Sequence, residues 1–215
     1  MAPYDGPMEI GLASGELIQA GRRLGSRGLI SAGEGNLSIR LDGSRILVTP
    51  SGRRKDELRA EDLVVVRTDH PGAAARSRSG FMPTSDLAIH LAVYAARPDI
   101  EAVAHAHLPA SMALTLAGEI PDPAVLPETA LFLPRLPFLT LGVPGSPELA
   151  GRIAAALLEP PDPLPGAVLL ERHGAVAVGE HVDKAVDRLE LVEVLCRTWR
   201  DSLAIRAARA TLGIV

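Results

Sequence analysis

The stretch 101–108 constrains this chain most, because it places two histidines, His105 and His107, two residues apart in an otherwise apolar run. Side chains alternate between the faces of a β-strand, so in a strand both rings would point to the same side. This is the spacing of a paired metal ligand, and neutral imidazole binds zinc and related divalent ions well. A catalytic zinc usually has three protein ligands and one open position, so we expect a third ligand elsewhere in the chain.

A histidine pair at this spacing also fits a structural interpretation, in which both rings bond to backbone or water at a solvated strand end. Two further stretches supply candidate partners. Residues 83–90 precede the pair and include Asp86, whereas residues 169–174 lie far downstream and include His173. The choice between a metal site and a structural pair stays open on the two histidines alone.

Two turns of small residues flank a predicted β-hairpin. The first contains Gly35 and Asn36, and the second contains Ser51 and Gly52. Backbone amides at such turns form anion-binding nests, and hydroxyl or amide side chains add donors. A glycine or serine turn is more often only a turn, so neither one by itself indicates a ligand.

A helix is predicted after residue 83, with Thr84 or Ser85 as its N-cap and Asp86 in its first turn. Free amides and the helix dipole stabilise a carboxylate there, so capping is one interpretation of Asp86 and chemistry is the other. His90 lies four residues further along, on the same helix face. We expect His90 to make a structural hydrogen bond rather than a metal bond.

Hydrophobic periodicity predicts the remaining elements. Helices are expected over residues 9–27, 109–117, 146–158 and 183–210. Strands are expected over residues 37–41, 46–48, 63–66, 101–108, 136–140, 166–170 and 175–178. His173 and Gly174 would then lie at the bend of a hairpin, and the proline-rich segment 120–127 would cross the surface.

Length, charge and cysteine content exclude several classes of function. At 215 residues the chain is predicted to form one domain, 1–215. A formal net charge of −4 and an aromatic content of 3% argue against nucleic-acid binding, which needs a basic surface and stacking rings. Residues 1–6 lack a signal-peptide pattern and no apolar run reaches transmembrane length, so no membrane partner is expected. With Cys196 as its one cysteine the chain can form no intrachain disulfide, which predicts a reducing compartment, the cytoplasm.

Taken together, four ordered blocks of residues resemble the class II aldolase/adducin family over roughly residues 10–208. The blocks are residues 35–38, 49–52, 83–86 with 97–99 and 105–107, and 173–174. The resemblance implies an α/β fold with three α/β/α layers, in which helices flank a mixed, mostly antiparallel central sheet. It also implies a sugar-phosphate substrate and a homotetramer with active sites between subunits.

The resemblance further implies roles for particular residues. The family's three zinc ligands match His105, His107 and His173. The metal is expected to be Zn²⁺, with Mn²⁺ or Co²⁺ as alternatives. The family's phosphate-binding turns match Gly35, Asn36, Ser51, Gly52, Thr84 and Ser85. Its general acid/base matches Asp86.

The residue at position 86 leaves the reaction open. The matching residue is a glutamate acid/base in fuculose-phosphate aldolases but an aspartate metal ligand in ribulose-phosphate epimerases, so Asp86 favours the epimerases. The epimerases also use a second aspartate, which matches Ala130 here. The epimerases also need a tyrosine near the C-terminus, and the aldolases need one in the region that matches residues 129–133. Tyr4 and Tyr94, the chain's two tyrosines, match neither, and Glu128 is the nearest ionisable replacement for the aldolase tyrosine.

We therefore expect a zinc-dependent aldolase that cleaves a short ketose 1-phosphate, similar to L-fuculose 1-phosphate, to dihydroxyacetone phosphate and an aldehyde. The metal would polarise the ketone and Asp86 would move the proton. The alternative is a 4-epimerase of a sugar phosphate similar to L-ribulose 5-phosphate, or a related dehydratase or decarboxylase. A non-catalytic adducin-like binding module is a second alternative, although such members typically lack the histidines.

Overall fold

The computed structural model describes residues 9–70 and 75–213, so the predicted domain 1–215 extends beyond the described ranges. The helices are α1 (Ile10–Ser26), α2 (Leu87–Ala96), α3 (Pro109–Leu116), α4 (Pro127–Phe132), α5 (Pro147–Ala156) and α6 (Val182–Leu212). The strands are β1 (Asn36–Asp42), β2 (Arg45–Val48), β3 (Val64–Arg67), β4 (Ala102–Ala106), β5 (Phe138–Leu139), β6 (Ala167–Leu170) and β7 (Gly174–Gly179). Short 3₁₀ turns lie at Ala60–Asp62 and Pro123–Val125.

The ends of two helices follow from their local sequence. The hydroxyl of Ser146 accepts a hydrogen bond from the backbone N–H of Leu149, and Pro147 takes the first helical position of α5. Helix α6 ends at Leu212 and is capped by Gly213, whose φ of +66° suits glycine. Among the described helices, none combines the length and the apolar character needed to cross a membrane.

One sheet of seven strands runs through the described part of the chain, in the order β3-β2-β1-β4-β7-β6-β5. Neighbouring strands are antiparallel except β5 and β6, which are parallel. The prediction of a mixed, mostly antiparallel sheet is confirmed. The central strands are β1, β4 and β7, and their register places Asn36 opposite His105 and Ala106 opposite Ala175.

Side chains from the two faces of the sheet enter two separate apolar cores. In β4, Val103 packs into one core, whereas Ala102 and Ala104 pack into the other. Helices α2 and α5 cover the first face, with Ile89 and Ile153 buried against it. Helices α1, α3 and α6 cover the second face. The sheet and the two helical layers form the predicted three-layer α/β/α fold.

One local prediction was wrong, and one helix was missed. Helix α2 begins at Leu87, and its N-cap position is taken by Asp86 rather than by Thr84 or Ser85. Helix α4 was not predicted, because six residues complete fewer than two helical turns and therefore show no periodicity. Its first residue, Pro127, ended the predicted surface segment in the sequence but starts a helix in the structure.

Candidate active site

Three histidines from two distant parts of the chain meet at one end of the sheet. His105 lies in β4, His107 follows the end of that strand, and His173 lies in the turn between β6 and β7. The ring centroid of His105 lies 5.0 Å from that of His107 and 4.8 Å from that of His173, and the last two rings are 4.7 Å apart. One possible ligand atom from each ring lies within 4.8 Å of the others. The three predicted ligands are thus close enough to surround one cation.

Two glycines allow the backbone to approach this end of β4. A Cβ atom on Gly174 would lie 2.0 Å from the carbonyl oxygen of Ala106, and one on Gly35 would lie 2.8 Å from that of His105. Both glycines also have positive φ angles, +79° and +70°, which side chains disfavour. The glycine turn at residue 174 therefore brings His173 to the other two rings.

The protonation of the histidines suits metal binding. His105 Nδ1 lies 3.0 Å from the carbonyl oxygen of Ala175, and because a carbonyl only accepts, Nδ1 carries the hydrogen and Nε2 keeps a lone pair. Burial holds the pKa of His105 well below its usual value and also lowers the pKa values of His107 and His173, so the rings are neutral. Neutral imidazole is the form that binds metals.

Unpaired ring nitrogens support the same conclusion. Within residues 9–70 and 75–213, His105 Nε2 and His173 Nδ1 are buried and have no hydrogen-bond partner. Leaving such atoms unpaired costs about 1–3 kcal/mol each, unless a ligand takes the lone pair. The three residues therefore fit a divalent metal of the kind that imidazole prefers.

The predicted phosphate-binding turns are joined through Thr49, which is fully buried. Its hydroxyl accepts from the backbone N–H of Leu37 at 3.1 Å, and its own N–H donates to the carbonyl of Leu37 at 3.0 Å. The carbonyl of Thr49 accepts from the N–H of Thr84 at 3.1 Å, and Ser51 N–H donates to the carbonyl of Met82 at 3.0 Å. These bonds hold the three turns side by side.

A cavity of about 240 Å³ opens between the turns and the histidines. The residues predicted to bind phosphate all line it: Gly35, Asn36, Ser51, Gly52, Thr84 and Ser85. Asp86, His107 and His173 line the same space, and His105 is fully buried beside them. The structure thus brings together at one cavity all of the residues proposed for the site.

A chain of buried hydrogen bonds orients Asp86. Asn36 Nδ2 donates to Asp86 Oδ2 at 2.9 Å, so its Oδ1 is the acceptor that faces His90 Nε2 at 2.7 Å. His90 Nδ1 then accepts from Ser38 Oγ at 2.6 Å, and Ser38 Oγ accepts from the Tyr94 hydroxyl at 2.8 Å. The predicted structural role of His90 is therefore confirmed, and its bonds extend to the carboxylate of the site.

The hydrogen bonds around Asp86 change the interpretation of three predicted site residues. Asp86 takes the N-cap position of α2, but its carboxylate makes no capping bond, so the capping interpretation is wrong. Asn36 uses its amide oxygen and one amide hydrogen within the protein, which leaves one side-chain hydrogen for a ligand. The Thr84 hydroxyl accepts from the N–H of Asp86 at 3.3 Å and keeps its own hydrogen to donate.

Sequence reasoning missed two charged residues of the cavity, Glu34 and Lys55. In the sequence, only their positions could have indicated a role in the site. Glu34 lies between two glycines of the first turn, and Lys55 follows the second turn by three residues. Glu128, the predicted replacement for a missing tyrosine, is exposed on α4. It is not among the described residues that line the cavity. Glu34 is therefore better placed than Glu128 to exchange a proton with a ligand.

The chain is similar to proteins of one family along most of its length. Residues 15–200 match the sequence model described as Class II Aldolase and Adducin N-terminal domain. A 3-oxo-tetronate 4-phosphate decarboxylase of Haemophilus influenzae is 33% identical over 187 residues, which cover 85% of this chain and 84% of the relative. A methylthioribulose-1-phosphate dehydratase of Acidiphilium cryptum is 34% identical over 201 residues, which cover 88% of this chain and 92% of the relative.

A solved structure shows the same architecture. The L-fuculose-1-phosphate aldolase from Thermus thermophilus superposes with a TM-score of 0.74 at 28% sequence identity, covering 90% of this chain and 96% of that one. The family match, the two relatives and this superposition agree with the motifs and the fold. The chain belongs to the class II aldolase and adducin family.

Proposed function

We propose that this protein is a metal-dependent aldolase that cleaves a short ketose 1-phosphate to dihydroxyacetone phosphate and an aldehyde. One observation carries the proposal: three neutral histidines, a carboxylate and the small-residue turns meet at a single cavity. A binding module would not need histidine nitrogens that are buried without partners. The retained histidines thus support an enzyme over an adducin-like module.

His105, His107 and His173 would hold the metal. Three imidazoles suit zinc, which is our first choice, with Mn²⁺ or Co²⁺ as alternatives. When bound there, the ion supplies Lewis-acid polarisation of a carbonyl oxygen. The hydrogen bond from His105 Nδ1 to the carbonyl of Ala175 holds that ring in the tautomer that leaves Nε2 free.

Asp86 would move the proton. Because Asn36 donates to Oδ2, the second carboxylate oxygen remains to take the proton from the substrate hydroxyl as the carbon–carbon bond breaks. The electron pair of that bond stays on the carbon beside the ketone, and Asp86 then returns the proton to this carbon. The turns at Gly35, Ser51 and Thr84 would bind the phosphate and orient the substrate.

Decarboxylation of a 3-oxo acid phosphate is the second candidate, because it needs one proton transfer whereas the retro-aldol reaction needs two. No tyrosine lines the described part of the cavity: Tyr94 is buried at the far end of the hydrogen-bond chain, and Tyr4 lies outside the described residues. Loss of carbon dioxide leaves an electron pair that needs one proton, which Asp86 alone would supply. The similarity to a decarboxylase supports this alternative. The 4-epimerase has less support, since neither its tyrosine nor its second aspartate has a counterpart here.

The test incubates purified protein of known metal content with four substrates: L-fuculose 1-phosphate, L-ribulose 5-phosphate, methylthioribulose 1-phosphate and a 3-oxo-tetronate 4-phosphate. Dihydroxyacetone phosphate is the expected product. Carbon dioxide, water loss without chain cleavage, or an epimer without triose phosphate would each assign a different reaction and overturn the aldolase.

Two variants control this test. His107→Ala should lose the metal, and Asp86→Asn should keep the metal while its turnover falls by about 10²- to 10⁴-fold. Stoichiometric metal in His107→Ala would refute the ligand set. If no substrate reacts with metal-loaded protein, the binding-module alternative replaces the lyase.

A further inference from the structure

Lys55 lies at the cavity, and the proposed reaction gives it no role. It is one of two lysines in the chain, the other being Lys184 on α6. Lys55 lines the cavity although the residue is only 1% exposed. A lysine is rarely buried so completely unless a partner balances its charge.

The ammonium group of Lys55 ties two of the turns together. Its Nζ donates to the carbonyl of Gly33, in the first turn, and to the carbonyl of Arg53, which follows the second turn, both at 2.6 Å. The backbone of Lys55 also packs closely against α1: the contact is so close that a Cβ atom on Gly21 would lie 2.2 Å from the Lys55 carbonyl oxygen. The position of the ammonium is therefore well determined.

The charge of Lys55 has no close counter-ion. In the ranges that the structure describes, no carboxylate oxygen lies within 4.0 Å of its Nζ. Burial lowers the pKa of Lys55 to about 8, while the charges of Glu34 and Asp86 act in the opposite direction. The group is therefore an ammonium at neutral pH, with two of its three hydrogens bonded to carbonyls and one left to donate.

The other charges of the cavity make this ammonium important for an anion. Lys55 is the one lysine or arginine among the described residues that line the cavity, and Glu34 and Asp86 are the two acids. A phosphate monoester carries about 1.5 to 2 negative charges at neutral pH. Turn amides attract it through dipoles only, whereas hydrogen bonds from a charged donor are roughly twice as strong.

We propose that Lys55 is the charged anchor of the phosphate site, donating its third ammonium hydrogen to the substrate's phosphate group while the other two hold the turns. This inference rests on the proposed function, because it takes phosphate to be the group that the turns bind. It makes Lys55 a residue that binds and positions the substrate and that selects phosphorylated sugars over free sugars.

The first experiment measures binding of inorganic phosphate to the metal-loaded protein by calorimetry. Lys55→Met should weaken binding by about 10- to 100-fold, as expected for loss of a hydrogen bond from a charged donor. Lys55→Arg should keep binding within a few-fold of the unmutated protein. Lys184→Met removes the other lysine, which is remote from the cavity, and should change nothing. In turnover, Lys55→Met should raise KM for the phosphorylated substrate far more than it lowers kcat.

A second measurement needs no substitution at Lys55. With lysine side chains carbon-13-labelled at Cε, the chain gives two lysine signals, which Lys184→Met assigns. Adding inorganic phosphate should shift the Lys55 signal and raise its apparent pKa, and should leave the Lys184 signal unchanged. The result stands even if Lys55→Met does not fold.

The outcomes separate this inference from the proposed function. If the unmutated protein binds phosphate and Lys55→Met binds it equally well, or the Lys55 signal does not respond, the anchor role is wrong and the phosphate site stands. If the unmutated protein binds no phosphate, the phosphate half of the proposed function fails, and the role of Lys55 fails with it.

Discussion

At the scale of single residues, His90 shows how a neutral, buried side chain orients a charged one. Both of its ring nitrogens are hydrogen-bonded, to Ser38 and Asn36, and the residue is fully buried. Burial lowers the pKa of His90 to about 3, so the ring stays neutral across the physiological range. Asn36 therefore turns its amide nitrogen towards Asp86 and donates one hydrogen to it, because its oxygen is already occupied by His90.

We predict that His90 makes the protein sensitive to acid. Its pKa is about 3 when folded and about 6.5 when unfolded, so between these values the unfolded chain binds the additional proton and stability falls as pH falls. From pH 6.5 to 4.5 the loss attributable to His90 should be about 2–3 kcal/mol. Urea unfolding at both pH values measures it.

Two variants isolate this contribution. His90→Gln retains a donor and an acceptor but has no ionisable group, so its stability should depend less on pH than that of the unmutated protein. Tyr94→Phe breaks the outer end of the hydrogen-bond chain without removing a group that titrates in this range, and should keep the original pH dependence. Equal pH dependence in His90→Gln and the unmutated protein would contradict the assignment.

At the scale of elements, the turn between β6 and β7 determines whether the third histidine reaches the other two. The two strands pair with Leu170 opposite Gly174, and β7 pairs with β4 on its other side. His173 thus lies one residue before the strand that adjoins His105. The short connection leaves room for a glycine only, because the carbonyl of Ala106 occupies the space of a Cβ atom.

We predict that Gly174→Ala destabilises the protein by at least about 2 kcal/mol. A positive φ alone costs a residue with a Cβ atom roughly 1–2 kcal/mol, and the contact with Ala106 adds to this. Metal affinity should fall as well, because relief of the contact moves His173. Urea unfolding and metal titration provide the measurements.

Gly151→Ala is the matched control for this substitution. Gly151 lies within α5, where an added Cβ atom meets nothing within 4 Å. Alanine is favoured over glycine inside a helix, so this variant should gain about 0.5–1 kcal/mol and bind metal normally. If the two alanine variants were equally stable, the argument from close approach would be wrong.

At the scale of the whole molecule, the exposed apolar side chains bear on assembly. Leu131, Phe132 and Val194 are each at least half exposed, and the last two line an open groove of about 340 Å³ between α4 and α6. Charged side chains, including Lys184, Asp187 and Glu190, line the same groove, and exposed apolar side chains rimmed by polar ones often mark a site of protein association. A homotetramer therefore remains our prediction for this chain.

Light scattering during gel filtration tests the predicted assembly. Four chains of 22.6 kDa would give a particle of about 90 kDa, and dilution should not change this mass if the assembly is stable. A mass of one chain at all concentrations would contradict both the tetramer and the expectation of active sites between subunits.

Much of the fold was predictable, because strand and helix periods are local properties of the chain. The alternation in residues 37–41, followed by a turn and the apolar run 46–48, predicted the hairpin of β1 and β2. The spacing of apolar residues predicted α1 and α6, and the cap with its following proline predicted α5. Helix α4 was missed because it is too short to show a period. The layered arrangement came from the resemblance to a family and is confirmed by the two cores.

Some features of the site could likewise be predicted from the sequence, whereas others depend on the tertiary structure. The sequence by itself indicated that the rings of His105 and His107, two residues apart, point to one side, although the strand ends at Ala106 and His107 follows it. It also indicated that the small-residue turns can expose backbone amides, since both properties depend on neighbouring residues. Only the tertiary structure shows that His173 lies beside the pair, as the resemblance implied, that Asn36 donates to Asp86, and that Lys55 lines the cavity. Those contacts join residues many positions apart, and they depend on strand order and register, which no local pattern encodes.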